Sequence, residues 1–109
     1  MATFFRTTVK KDISTTLTTV LETTASNRFT IIGCNLANKL DEDVIISIFV
    51  EDALAVEGYY IKELIIPPYT SAKVITNGEK LILAESCKFK IISDTANSID
   101  AVVSYAEIV

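Results

Sequence analysis

The feature that most constrains this chain is a succession of short runs rich in Ile, Val and Thr, spaced about ten residues apart and divided by polar turns. β-Branched side chains lose rotamer freedom in a helix and pack well on a pleated surface. No window repeats its apolar residues at the helical period. Val44, Ile46, Ile48 and Val50 point one way and Ile45, Ser47 and Phe49 the other. With apolar groups on both faces, that strand is expected to be central or covered by a neighbouring subunit. Phe89 and Ile91 alternate with Lys88 and Lys90, and Ala101, Val103 and Tyr105 oppose Val102, Ser104 and Ala106. In the run from Arg28 to Asn38, Phe29 and Ile31 share one face while Ile32, Cys34 and Leu36 share the other. The switch beside Gly33 predicts a β-bulge.

Turn residues punctuate these runs. Pro67-Pro68 cannot donate ladder hydrogen bonds and marks a strand end, and Asn77-Gly78 closes a short strand over Thr70–Thr76. Seven or eight short strands joined this way predict an all-β fold, an antiparallel β-sandwich of jelly-roll or Ig-like type. Residues 14–109 form the single sandwich domain in this reading, and residues 1–13 an N-terminal arm or an edge strand. Phe4, Phe5, Val9 and Ile13 stand among polar neighbours with no clean period. A short segment cannot bury two Phe on itself, so these four residues are the candidate subunit interface.

The chain has 109 residues, enough for one hydrophobic core, and half of them are hydrophobic. The longest apolar run, Val44–Val50, falls far short of the roughly 20 residues that span a bilayer, so no membrane segment is expected. Surplus apolar content is then assigned to core and intersubunit surface. The net charge of −4, with basic residues mostly single, gives no clustered cations to displace counterions from nucleic acid, so no nucleic-acid partner is expected. The opening Met-Ala-Thr-Phe-Phe-Arg lacks the basic and apolar regions of a secretory signal, which predicts use in the cytoplasm or in a particle assembled there.

Little in the chain points to catalysis. It has no His, hence neither the commonest general base nor the commonest transition-metal ligand, and no Gly-rich phosphate cradle. Cys34 and Cys87 alone cannot build a tetrahedral zinc site and are expected as two buried free thiols. Asp41, Glu42 and Asp43, with Glu51 and Asp52 nearby, could offer oxygen ligands to a hard cation, but a solvated turn accounts for them. The expectation is no enzyme, no cofactor and no metal. Tyr59, Tyr60 and Tyr69 form a candidate exposed aromatic rim, which makes a carbohydrate-binding adhesion module the alternative from another functional class. Tyr59 and Tyr60, being adjacent, point to opposite faces of a strand, one toward core and one toward rim.

Phe-Arg-Thr-Thr-Val-Lys-Lys-Asp-Ile-Ser (5–14) and Thr-Thr-Val-Leu-Glu-Thr (18–23) resemble the start of small virion structural proteins of tailed bacteriophages. Thr-Ile-Ile-Gly-Cys-Asn-Leu-Ala-Asn (30–38), Tyr-Tyr-Ile-Lys-Glu-Leu-Ile-Ile-Pro-Pro (59–68) and Gly-Glu-Lys-Leu-Ile-Leu (78–83) are similar to the same family. So is the closing Ile-Asp-Ala-Val-Val-Ser-Tyr-Ala-Glu-Ile (99–108), the most distinctive of these pieces. Together they cover nearly the whole chain in order. The family tends to have Gly-Asp where this chain has Ala84-Glu85-Ser86-Cys87, a departure that bears on the local turn. The resemblance implies a virion component built in the bacterial host cytoplasm. Its implied role is assembly, as a symmetric homo-oligomer contacting the major capsid protein or other virion proteins. Capsid decoration as a trimeric cap is the first expectation, and a neck or tail component the second.

Overall fold

The computed structural model describes residues 2–75 and 78–109, and these residues form nine strands. They are β1 (Thr3–Ile13), β2 (Thr18–Glu22), β3 (Arg28–Asn38), β4 (Val44–Glu51), β5 (Glu57–Ile66), β6 (Ser71–Ile75), β7 (Leu81–Leu83), β8 (Lys88–Ser93) and β9 (Ile99–Ile108). One sheet has the order β1-β9-β3-β6, with β7 also pairing β3, and the other has the order β2-β8-β4-β5. Every pairing is antiparallel. β7 lies along Phe29–Ile31 and β6 along Cys34–Ala37, so the two act as one broken strand beside β3. Of the connections, β4–β5 is a hairpin within one sheet, while β1–β2, β2–β3, β3–β4, β5–β6, β7–β8 and β8–β9 cross between sheets. This order is the jelly roll, and it decides between the two sandwich types the sequence allowed.

Side-chain alternation builds the core. Ile31, Leu36, Ala101 and Val103 from the first sheet meet Ile46, Ile48, Phe89 and Ile91 from the second, all buried. β4 is central in its sheet, as the two-sided apolar pattern required, but its outward face (Ile45, Ser47, Phe49) is covered by no other element among the described residues. The bulge predicted near Gly33 falls between Ile31 and Gly33. The expected division of faces is corrected by it. Phe29, Ile31, Cys34 and Leu36 all point inward, because the extra residue, Ile32, restores the alternation and is itself turned outward. The expected strand over Thr70–Thr76 is β6, ending at Ile75. Thr76 and Asn77 lie outside the described residues, and Gly78 has the positive φ of 83° that suits glycine in a turn.

Both ends of the sandwich are tied by buried polar side chains. At one end Thr23 Oγ1 donates to the Ala84 carbonyl at 2.5 Å and accepts from the Cys87 N–H at 2.8 Å, fixing the β7–β8 turn. At the other end Asn38 links the β3–β4 and β5–β6 connections through its side-chain amide. Ser93 and Ser98 share a hydrogen bond of 2.6 Å beneath the β8–β9 turn.

Candidate assembly surface

A sheet edge exposes unpaired N–H and C=O groups, and a sandwich of two open sheets must manage four such edges. Three are blunted here. β2 has only 5 residues. β5 is interrupted by register shifts opposite Ile46–Ile48 and Ile48–Phe49 and runs into Pro67-Pro68. The edge along β3 is broken into β6 and β7. The fourth, β1, runs through 11 residues and pairs with β9 in unbroken register from Thr3 to Lys10. Only past Lys10 does it bulge, at the positive-φ residue Asp12. Lys39 clasps this bulge through ion pairs to Asp12 and Asp100.

The register assigns each β1 side chain to a face. Phe4, Arg6, Thr8 and Lys10 lie opposite Glu107, Tyr105, Val103 and Ala101, on the side of the sheet that faces the core. Yet β2 is short and does not cover them, so Phe4 keeps 46% of its surface exposed. Arg6 is anchored there by its Nε–H donating to Glu107 Oε1 at 2.6 Å, with its guanidinium 5.2 Å from the Phe4 ring centre. Arg6 and the Asn27 amide together hold the Glu107 carboxyl below its ordinary value. Phe5 and Val9 face outward beside Ala106 and Val102, and they are 80% and 64% exposed. That outward face carries further exposed apolar groups at Ile32 and Ile82. A shallow depression of about 270 Å³ sits in it, lined by Ile32, Gly33, Asn35, Lys73, Val102 and Ser104.

The four candidate interface residues therefore divide. Phe4, Phe5 and Val9 are exposed along β1, but Ile13 is only 1% exposed and belongs to the chain's own core. The correction has a local cause: the bulge between Lys10 and Ile13 turns Ile13 inward. Sequence reasoning also missed Val102, Ile32 and Ile82, which adjoin β1 only through the β9 and β3 pairings.

The three tyrosines do not make one rim. Tyr59 stacks on Phe49 at 4.4 Å between ring centres, on the outward face of its sheet, with Lys62 against it. Tyr60 packs against the core with its hydroxyl donating to Glu79 at 3.0 Å, and burial, then Glu79, raise its pKa. Tyr69 is exposed beyond the far end of β5, where its N–H donates to the Leu40 carbonyl. Tyr59 and Tyr60 do take opposite faces, but a shared aromatic platform is corrected: the rest of β5, from Tyr60 to Ile66, and then Pro67-Pro68 separate Tyr59 from Tyr69.

At the Tyr59 end of the second sheet, charges alternate across the strands. Lys90 Nζ lies 2.7 Å from Glu51 and 2.8 Å from Glu57, and Lys88 lies between Glu22 and Glu51. Lys90 holds the Glu51 carboxyl below its ordinary value, and is itself held up by Glu51 and Glu57. Beyond them the β4–β5 loop is shaped by Asp52, whose Oδ1 accepts from the Leu54 and Val56 N–H groups. Leu54 stands exposed at its tip. Asp41, Glu42 and Asp43 occupy the β3–β4 connection, and no metal-ligating cluster forms among the described residues.

No protein-family model matches this chain, and no curated protein matches it. Among solved structures it is similar to a chain of the T13 IBDV viral particle, with a TM-score of 0.57 and 9% sequence identity. The likeness covers 96% of this chain and 30% of that one, so this chain spans under a third of the protein it resembles. At that identity the likeness shows a common fold.

Proposed function

We propose that this chain is a virion structural protein of a tailed bacteriophage, assembled in the host cytoplasm as a symmetric homo-oligomer that decorates the capsid. The observation that carries the reading is β1. It is the one long, unbroken sheet edge among the described residues, and it holds Phe5 and Val9 outward in solvent. Contiguous exposed apolar surface of this kind marks interaction sites rather than ordinary monomer surface. The ordered resemblance at 5–14, 18–23, 30–38, 59–68, 78–83 and 99–108 supplies the phage setting. The jelly roll, a fold of capsid and lectin domains alike, is compatible with it. A role in assembly, not catalysis, also suits a chain without His or Gly-rich loops.

The major capsid protein is the proposed second partner. Mass spectrometry of purified particles tests the reading through copy number. A number comparable to the major capsid protein indicates decoration, one ring's worth indicates a neck or tail component, and absence from particles overturns the proposal. Replacing Phe5 and Val9 together by Ser should abolish oligomerisation. Because both are exposed, fold stability should change by no more than about 0.5 kcal/mol per site.

A further inference from the structure

We infer that two copies of this chain join through β1, strand against antiparallel strand, in a two-fold register centred on Thr7. The inference deepens the homo-oligomer reading above and rests on it. Its first support is the direction of the backbone groups. Ala2 and Val109 exchange both N–H···O bonds, at 3.2 and 2.9 Å. Hydrogen-bonded and non-hydrogen-bonded pairs alternate along an antiparallel ladder. With Phe4 opposite Glu107, Arg6 opposite Tyr105 and Thr8 opposite Val103, these residues spend their backbone groups on β9. Thr3, Phe5, Thr7 and Val9 therefore aim N–H and C=O at the open edge. The same four side chains face outward from the sheet.

Charge and apolar pairing together select the register. Directly opposed residues share a face, so a two-fold pair of strands must place one residue opposite its own copy. Centring on Thr7 sets Phe5 against Val9 and Val9 against Phe5 on the outward face, and Arg6 against Thr8 and Phe4 against Lys10 on the other. No like charges meet. Centring on Arg6 opposes two arginines, and centring on Thr8 opposes Arg6 with Lys10, each a like-charge pair and unfavourable. Centring on Phe5 opposes no like charges, but it spends Phe5 on its own copy and carries Val9 past Ala2, outside the described residues, whereas the Thr7 register covers both exposed apolar side chains twice. Beyond Lys10 the Asp12 bulge ends the regular edge, so pairing stops there. The unit this produces is a two-fold dimer, in place of the trimer expected from the sequence.

Light scattering of the full chain should give a dimer or a multiple of it. Thr7→Pro removes an N–H that faces the open edge and leaves the β9 ladder whole, so it should yield a folded monomer. Thr8→Pro removes an N–H spent on β9 and should instead lower the urea midpoint. Thr7→Cys gives an independent reading. The two Thr7 positions would stand about 5.5 Å apart, within disulfide reach, whereas two copies of Phe5→Cys would be offset by about 14 Å. Oxidised Thr7→Cys should therefore run as a covalent dimer and Phe5→Cys should not. A monomeric wild type, a Thr7→Pro variant of unchanged mass, or cross-linking through Phe5→Cys alone would overturn the inference. Cross-linking through Thr7→Cys in a protein absent from particles would leave the pairing standing and remove the virion reading. A monomer found in particles would do the reverse.

Discussion

Asn38 offers the sharpest test of how the sandwich holds its connections. Its side chain is buried at the end of β3, and its Nδ2 lies 2.8 Å from the Glu42 carbonyl, 3.0 Å from Ile66 and 3.0 Å from Pro67. Its Oδ1 accepts from the Leu40 N–H at 2.9 Å. Asn38→Ala abandons all four. The Ile66 carbonyl is buried and would bear most of a desolvation penalty of about 1–3 kcal/mol, while water can partly replace the other bonds at about 0.5 kcal/mol each. The sum is about 3 kcal/mol. Against a total stability of about 5–15 kcal/mol for a domain this size, that is a large share. At roughly 4 °C per kcal/mol, the melting temperature should fall by about 12 °C. Urea unfolding followed by circular dichroism measures the loss directly.

Asn38→Asp separates the donors from the acceptor. It keeps the bond to the Leu40 N–H but turns a carboxylate toward three carbonyl oxygens, so its neutral acid is the favoured folded form. The folded pKa is then raised, and the deficit of this variant should grow as pH rises through the carboxylate range. If Asn38→Ala costs less than about 1 kcal/mol, or Asn38→Asp shows no such pH dependence, the amide is not the tie described here.

Two further outcomes follow from the charges and thiols. Glu51 and Glu107 have folded pKa values held down by Lys90 and Arg6, so each contributes stability above its ordinary pKa that is lost as pH falls through the folded value. Lys90→Met should flatten the acid limb of a stability-against-pH series, and an unchanged slope would refute the role given to Lys90. Burial pushes the Cys34 thiol up to about 12 and raises that of Cys87 as well, so a thiol-specific reagent should titrate neither in the folded protein and both in urea.

Much of the fold was legible because a sheet repeats every two residues, and local sequence carries that period. The inward positions of β4, β8 and β9 follow from alternation alone, and Gly33 betrayed the bulge in β3. Its consequence was harder to read. From sequence, one extra residue looks like a change of face; in the sheet, Ile32 is extruded so that Cys34 and Leu36 stay inward with Phe29 and Ile31. The chain tolerates an exposed Ile there because the alternative would turn two core residues to solvent. Choosing the jelly roll over an Ig-like order depended on which strands pair across long separations, such as β1 with β9, and no local pattern encodes that.

The assembly surface shows the same division between local and remote information. Phe4 and Phe5 were visible as apolar residues without a period to bury them. Ile13 looked like a fourth member of that set, but the bulge after Lys10 drives it into the core, beneath the Ser98 N–H that bonds its carbonyl. What turns β1 from an ordinary edge into a self-complementary one is a conjunction. Its odd-numbered residues from Thr3 to Val9 both face outward and aim their backbone groups at the open side, a parity set by where Ala2 meets Val109. Had β1 and β9 paired with the alternation shifted by one, Arg6 would have aimed its backbone at the open edge. Thr7 would have bonded β9, and the centre that sets Phe5 against Val9 without opposing like charges would have had no free N–H to offer.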